Sequence, residues 1–299
     1  MSDESASLTI ETTGWSIPGA GGEPLLVSTD RRAGLTTPAS AVLLAHGFKG
    51  YKDYGFIPVL SRRLAGRLPI VVHRFNFSHS GMTEEIATFA RPDLFERDTW
   101  NKQVADLDAL MGAIEAGRAP ATPARTPIVL MGHSRGGVSC LLCAGRRARD
   151  GRPPAPAAVV TISAPAECCS LDERAKAELR QRGHLESPSS RTGQTLRIGR
   201  AWLDEQEADP AGHDLAALAS RIEAPVLVVH GDADPTVDPA CADRIASACP
   251  RGRVRLIPGA DHVFNTPNPA DLEAAPSAQL AELIDHIAGF LGPIACRSG

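Results

Sequence analysis

The residue whose surroundings most favour chemistry is Ser134, which lies between two glycines, Gly132 and Gly136. A short apolar run at residues 128–131 precedes it, and residues 138–144 continue with helical spacing. This order predicts a strand, a sharp turn with the serine at its apex, and a helix. Glycine relieves the crowding of the backbone in such a turn. The turn exposes the serine hydroxyl, and the first N–H groups of the helix point towards whatever the hydroxyl attacks.

A serine hydroxyl is a weak nucleophile at neutral pH and requires a base, usually a histidine that a carboxylate orients. In a parallel sheet, such residues gather at the carboxyl ends of the strands. Of the nine histidines, His262 lies in the loop directly after the last predicted strand, so we predict that it is the base. Seven of the others are expected in the core (His73), on solvated helices (His184, His213 and His286), or at strand ends with local hydrogen bonds (His46, His133 and His230).

The carboxylate is expected in the loop after the preceding strand, which reads His230-Gly-Asp-Ala-Asp-Pro-Thr-Val-Asp238. Three aspartates lie there, Asp232, Asp234 and Asp238. We favour Asp234, because the proline that follows it suits a tight turn that directs the side chain inward. Asp232 equally fits the role of a cap for the turn itself.

The oxyanion of a tetrahedral intermediate needs preorganised backbone donors. One is the N–H of Arg135, the first residue after the serine. The second should come from the loop after the apolar run at residues 41–45, where His46-Gly47-Phe48 allows the backbone to approach closely. We predict the Phe48 N–H. The alternative is that His46-Gly47 is only a turn that ends a strand.

Apolar runs alternate with helical segments along most of the chain, which predicts an α/β protein with a mostly parallel central sheet flanked by helices. Residues 8–15 and 24–29 predict an antiparallel hairpin at the sheet edge. Further strands are expected at 41–45, 70–75, 157–163, 225–230 and 253–257, helices near 58–66, 98–117, 239–248 and 277–291, and a loop at 83–97.

The segment between the strands at 157–163 and 225–230 contains no predicted strand, only helices at 171–182 and 196–207. It is too long for an ordinary connection. We interpret residues 166–221 as a small helical cap inserted into a core domain of residues 1–165 and 222–299. The apolar Trp202 either lines a pocket or anchors the cap, and it is, with His133, a candidate for substrate binding.

The composition excludes several classes of function. A net charge of −4 leaves no electrostatic footprint for nucleic acid. No apolar run reaches membrane-spanning length, and the acidic, polar residues 1–7 are unlike a secretory leader. The seven cysteines form no disulfide framework, and neither they nor the histidines have the spacing of metal ligands. We therefore expect a cytoplasmic protein without metal or cofactor. The oligomeric state stays open, a homodimer included.

These motifs together resemble the α/β-hydrolase superfamily over roughly residues 25–291. The serine, aspartate and histidine follow each other in the order recorded for that fold. His46-Gly-Phe-Lys-Gly50 and Asn76-Phe-Ser-His-Ser-Gly81 are similar to a small-ester branch. That branch includes feruloyl and cinnamoyl esterases and is often labelled dienelactone-hydrolase-like or serine-aminopeptidase-like. True dienelactone hydrolases use a cysteine nucleophile, so their activity is not carried over to a chain with Ser134.

The motifs and the resemblance imply a serine hydrolase, a carboxylesterase that cleaves a small or medium ester through an acyl-enzyme intermediate. Ser134 attacks the carbonyl, His262 takes and returns the proton, and Asp234 orients His262. The expected partner is a small-molecule ester, with neither nucleic acid nor membrane. The alternatives are a thioesterase or an aminopeptidase of the same fold. A slow receptor-like or non-catalytic binding protein is the alternative from another class, because one fold hosts many functions.

Overall fold

The computed structural model of this protein describes residues 9–295. Leu8, the expected start of the first strand, and residues 1–7, judged unlike a leader, lie outside this range. The strands within it are β1 (Ile10–Pro18), β2 (Pro24–Arg32), β3 (Ser40–Ala45), β4 (Ile70–Phe75), β5 (Ile128–His133), β6 (Ala158–Ile162), β7 (His184–Pro188), β8 (Thr195–Gly199), β9 (Val226–Gly231) and β10 (Gly252–Ile257).

The central sheet has the strand order β1-β2-β4-β3-β5-β6-β9-β10. The hairpin of β1 and β2 forms one edge as predicted, and β2 is also antiparallel to β4. Every other neighbouring pair of this sheet is parallel. The prediction of a mostly parallel sheet is therefore confirmed.

The helices flank this sheet on both faces. They are α1 (Ile57–Arg67), α2 (Pro92–Glu96), α3 (Trp100–Glu115), α4 (Arg135–Arg149), α5 (Glu173–Arg182), α6 (Ala201–Ala208), α7 (Pro210–His213), α8 (Leu215–Ala219), α9 (Ala240–Ala248) and α10 (Ala278–Ala295). The prediction of a loop at residues 83–97 is wrong for α2, where a proline at the first helical position presets the backbone for a helix. In the described range, no helix combines the length and the apolar character that a membrane span requires.

Successive residues of the inner strands alternate between two apolar layers, which is why these strands are apolar throughout. In β3, Val42 and Leu44 pack with residues of α1 and α10 on one face. Ala41 and Leu43 pack with residues of α3 and α4 on the other. The sheet is thus buried on both faces. Functional side chains are therefore expected in the loops at the carboxyl ends of its strands.

The parallel ladder brings the ends of five strands to one edge. Ala45 of β3 pairs with Gly132 of β5, and the next residue of β5, His133, pairs with Ile162 at the end of β6. Further along, Gly231 of β9 pairs with Ile257 of β10. The loops that carry the predicted oxyanion donor, nucleophile, acid and base therefore leave the sheet side by side.

The segment between β6 and β9 contains a hairpin as well as helices. The prediction of a strand-free segment is wrong, because β7 and β8 pair antiparallel between α5 and α6. The helix expected at 196–207 exists only as α6, which begins at Ala201. Leu196 and Ile198 alternate towards a cluster around Tyr51 and Phe89, so their spacing is that of a strand.

Candidate active site

The turn after β5 has the backbone that a nucleophile at its apex requires. Ser134 has φ 53° and ψ −123°, in the positive-φ region that residues other than glycine rarely adopt. A Cβ on Gly132 would lie 2.2 Å from the Gly136 carbonyl oxygen, and one on Gly136 would lie 2.5 Å from that of His46. Neither position therefore has room for a side chain.

Asp234 accepts a hydrogen bond from His262 Nδ1 with its Oδ2 atom at 2.7 Å. Its Oδ1 atom accepts the backbone N–H groups of Thr236 and Val237. Burial opposes ionisation of this carboxyl, but the hydrogen bonds from His230, His262 and Val237 outweigh it and hold the pKa of Asp234 well below its usual range. Asp234 is thus an ionised acceptor that leaves His262 Nε2 free to take a proton.

The other two aspartates of this loop turn away from His262. Asp232 Oδ1 accepts the Gly259 N–H at 2.7 Å and so ties together the loops after β9 and β10. Asp238 Oδ1 accepts the Ala240 N–H at the start of α9. Of the three alternatives that the sequence leaves open, only Asp234 contacts the predicted base.

A second histidine contacts the same aspartate. His230, at the end of β9, is fully buried, and its Nε2 atom lies 3.2 Å from Asp234 Oδ2 and 3.1 Å from the Val237 carbonyl oxygen. The sequence predicted only a local hydrogen bond for His230. Its contact with Asp234 was missed, because it depends on the path of the chain after the strand.

Ser134 and His262 line the same cavity of about 220 Å³. Within residues 9–295 no hydrogen bond joins the Ser134 hydroxyl to His262. Catalytic hydrogen bonds commonly tighten only when substrate binds. His133, a predicted substrate contact, forms part of the cavity wall, and its Nε2 atom lies 2.9 Å from the His262 carbonyl oxygen. Burial and the charge that His262 carries when protonated lower the pKa of His133 to about 3, so His133 lies beside His262 as a neutral ring.

The predicted oxyanion donors lie on either side of Ser134. Gly47 packs so closely that an added Cβ would be 3.0 Å from Ser134 Cβ, which brings the loop carrying Phe48 to the nucleophile. In the part of the chain that the structure describes, neither the Phe48 N–H nor the Arg135 N–H has a backbone acceptor. Neither N–H group is thus engaged by the backbone of its own loop.

The side chain of Arg135 points away from this cavity into a buried aromatic cluster. Its guanidinium carbon lies 4.5 Å from the Trp100 ring centroid and 5.9 Å from that of Trp202. Its charge is matched by Asp98, 3.2 Å away, whose own pKa is raised by burial to about 6. Trp202 is only 7% exposed and is not among the residues that line the cavity beside Ser134, so its packing favours the alternative of an anchor, and a contact with substrate stays a prediction.

Several residues that line the cavity were not predicted from the sequence. They are Lys49, Tyr54, Val263 and the turn of the β7–β8 hairpin at residues 188–191, which includes Arg191. Lys49 lies in the motif His46-Gly-Phe-Lys-Gly50, so the sequence contained a signal for it. Arg191 had none, because the hairpin itself was not recognised.

Three other histidines, His46, His73 and His213, have structural surroundings. His73 is buried between Thr29 and Thr122, as predicted, and His46 bonds to local backbone at Gly47. His213 is buried rather than solvated, with its Nδ1 atom 2.8 Å from the Asp209 carbonyl oxygen and its Nε2 atom 3.5 Å from Glu205 Oε1. Among residues 9–295, no group of three or more side chains could hold a metal ion.

The sequence is similar to a known protein family. A model of the alpha/beta hydrolase family matches residues 42–275. No curated protein matches the sequence at a significant level.

Solved structures share the fold over nearly the whole chain. Est1E from Butyrivibrio proteoclasticus with ferulic acid bound is 17% identical with a TM-score of 0.68, over 94% of this chain and 99% of the other. An esterase domain from Rhodothermus marinus is 23% identical with a TM-score of 0.60, over 95% and 98%. A dienelactone hydrolase from Anabaena variabilis is 16% identical with a TM-score of 0.59, over 95% and 97%. At such low identity these likenesses establish the fold.

Proposed function

This chain belongs to the alpha/beta hydrolase family, and we propose that it is a serine hydrolase that cleaves carboxylic esters. One observation carries the proposal. The His262–Asp234 hydrogen bond of 2.7 Å lies beside a cavity that Ser134 also lines, at the end of a glycine-bounded turn. Nucleophile, base and orienting acid are the three parts that acyl transfer requires.

In the proposed reaction, the Ser134 hydroxyl attacks the ester carbonyl while His262 Nε2 takes its proton. Asp234 accepts from Nδ1 and stabilises the imidazolium that forms. The N–H groups of Phe48 and Arg135 receive the oxyanion. The intermediate collapses to an acyl-enzyme as His262 returns the proton to the leaving alcohol. Water, activated by the same histidine, then releases the acid.

Carboxylic esters are the favoured substrates because two of the structures that share the fold are described as an esterase domain and as Est1E with ferulic acid. A small ester fits a cavity of about 220 Å³. We further propose that residues 166–221 act as the cap that shapes this cavity, through the hairpin turn at 188–191. The proposal includes a cytoplasmic site of action. Thioester and amide hydrolysis are the rival activities.

Steady-state turnover tests the proposal against a slow receptor-like protein. Wild-type protein should convert many equivalents of an activated ester such as 4-nitrophenyl butyrate, whereas a receptor would stall after about one equivalent. Ser134→Ala should abolish turnover. Ser170→Ala is the matched control, since it removes an exposed hydroxyl outside the cavity lining and should leave turnover intact. Turnover that survives Ser134→Ala would refute the assignment.

A further inference from the structure

The cavity beside Ser134 is lined by two cationic side chains, Lys49 and Arg191, and by no carboxylate in the described part of the chain. The carboxylate of Asp234 is fully buried behind His262, to which it is already bonded. The charge that a bound substrate meets is therefore positive. A wholly apolar ester offers no group that could pair with these two cations.

We propose that Lys49 and Arg191 recognise a carboxylate group on the substrate, so that the protein prefers anionic esters over neutral ones of the same shape. This inference rests on the proposed function. It names the chemistry that the cavity recognises beyond the ester bond itself.

Lys49 is held at the cavity by both its backbone and its side chain. It directly follows the predicted oxyanion donor Phe48 and has a left-handed backbone with φ 56°. Its Nζ donates to the Pro188 carbonyl oxygen at 2.6 Å, so this hydrogen bond joins two residues of the cavity lining. An ammonium group has three N–H donors, so two remain for a ligand.

Arg191 is held more rigidly. Its guanidinium carbon lies 5.0 Å from the Tyr51 ring centroid and 4.9 Å from that of Phe89, and one of its N–H groups donates to the Ile86 carbonyl oxygen. A guanidinium has five donors in a planar fork that matches a carboxylate. Because these contacts with two rings and a carbonyl oxygen already restrain the side chain, little side-chain entropy is lost when a carboxylate binds.

The structural alternative is that Arg191 only clamps the hairpin turn to the segment around Ile86. That role needs neither Lys49 nor a position in the cavity wall. The two interpretations separate experimentally, since a clamp affects every substrate equally, whereas a recognition site affects only those with the negative charge.

Binding to Ser134→Ala tests recognition without catalysis. The ligands are two matched pairs: 4-butyryloxybenzoate with 4-butyryloxybenzamide, and monomethyl adipate with methyl adipamate. The first pair places the carboxylate on the alcohol and the second on the acyl chain. By isothermal titration calorimetry, we expect the anion of at least one pair to bind about tenfold or more tightly than its amide, the value of one hydrogen bond to a charged group.

Variants assign that preference to residues. Lys49→Gln and Arg191→Gln, made in the Ser134→Ala background, should each reduce the anion-to-amide ratio of affinities about tenfold, and Arg191→Lys should restore part of it. Arg197→Gln is the control, because it removes an exposed cation from β8 of the same hairpin outside the cavity lining. It should leave the ratio unchanged.

Equal affinities for anion and amide in both pairs, or a ratio that both glutamine variants leave unchanged, would overturn the inference. Its failure differs from failure of the proposed function. The proposed function fails when Ser134-containing protein turns over neither member of any pair, whatever the binding ratio in Ser134→Ala.

Discussion

The cavity beside Ser134 has two walls, one formed by the sheet and one formed by the cap. Different kinds of contact hold these two walls. On the sheet side, buried turns with almost no free space hold Ser134 and His262. On the cap side, the hairpin turn at 188–191 reaches the cavity through Arg191, and its Pro188 carbonyl oxygen accepts a hydrogen bond from Lys49 of the loop after β3. We infer that the sheet wall fixes the chemistry, and that the cap wall, together with the Lys49 side chain bonded to it, selects the substrate.

The difference lies in what each wall tolerates. A Cβ added to Gly136 would meet two backbone carbonyl oxygens, which cannot move without disturbing β3. At the hairpin turn, in contrast, Pro188 and Ser190 are exposed and Arg191 is half-buried, and most substitutions at such positions change the free energy of unfolding little. Substitutions in the sheet wall should therefore reduce catalysis or stability strongly, and those in the cap wall should change preference between substrates.

The largest effect is expected at the acid. Asp234→Asn should reduce kcat by about 10⁴, the loss known for a comparable Asp-to-Asn change in the best-studied triad, because His262 would lose its orienting acceptor. Asp232→Asn, which alters only the contact with Gly259, should have a far smaller effect. Steady-state kinetics of both variants decides the matter. The reverse ranking would transfer the role to Asp232.

The next effect concerns the turn itself. Gly136→Ala should lower the free energy of unfolding by about 3 kcal/mol or more, because its Cβ has no room. Gly112→Ala on the exposed face of α3 is the control, since nothing lies within 4 Å of its added Cβ, and it should be neutral or stabilising by up to about 1 kcal/mol. Urea denaturation measures both. A fully stable Gly136→Ala protein would show that the sheet wall is less constrained than its contacts imply.

Trp202→Ala distinguishes an anchor of the cap from a substrate contact. Because Trp202 packs in the core beside Trp100, its loss should reduce the free energy of unfolding by about 3 kcal/mol. The relative kcat/KM values over a series of acyl chain lengths should stay the same. Leu256→Ala, at a 43% exposed side chain, should cost far less. A changed chain-length profile with unchanged stability would show that Trp202 contacts the substrate instead.

Acid should destabilise the protein through its buried histidines. Burial lowers the pKa of His46 and His73 to about 4 from an ordinary value of 6.5. Below pH 6.5 the unfolded chain therefore binds protons that the folded chain excludes, and each such histidine reduces stability by about 1.4 kcal/mol per pH unit between pH 6.5 and 4. Between pH 6.5 and 4, His73→Gln should lower the slope of the unfolding free energy against pH by about 1.4 kcal/mol per pH unit, because one proton fewer is taken up on unfolding. An unchanged slope would mean that His73 is protonated in the fold.

The sheet wall was predictable from the sequence because its signals are local. Gly132 and Gly136 flank the serine within five residues, and His262 follows its strand directly. Such a turn depends on steric contacts between near neighbours, which the sequence displays. The alternation of apolar runs likewise predicted the sheet that the structure has.

The cap wall was not predictable in the same way. Leu196 and Ile198 are compatible with a helix that continues to Trp202, and only their packing against Tyr51 and Phe89, more than a hundred residues earlier, makes them a strand. The contact of His230 with Asp234 was missed for a similar reason, since it arises only when the loop folds back. Long-range packing, rather than local preference, determines both features.

The measurement that tests the central claim most directly is covalent labelling of the nucleophile. A fluorophosphonate probe reacts with a serine that a neighbouring base activates. We predict one labelled site per chain, mapped by mass spectrometry to the peptide that contains Ser134, and no labelling in Ser134→Ala. Labelling that persists in Ser134→Ala, or that maps to another serine, would contradict the account.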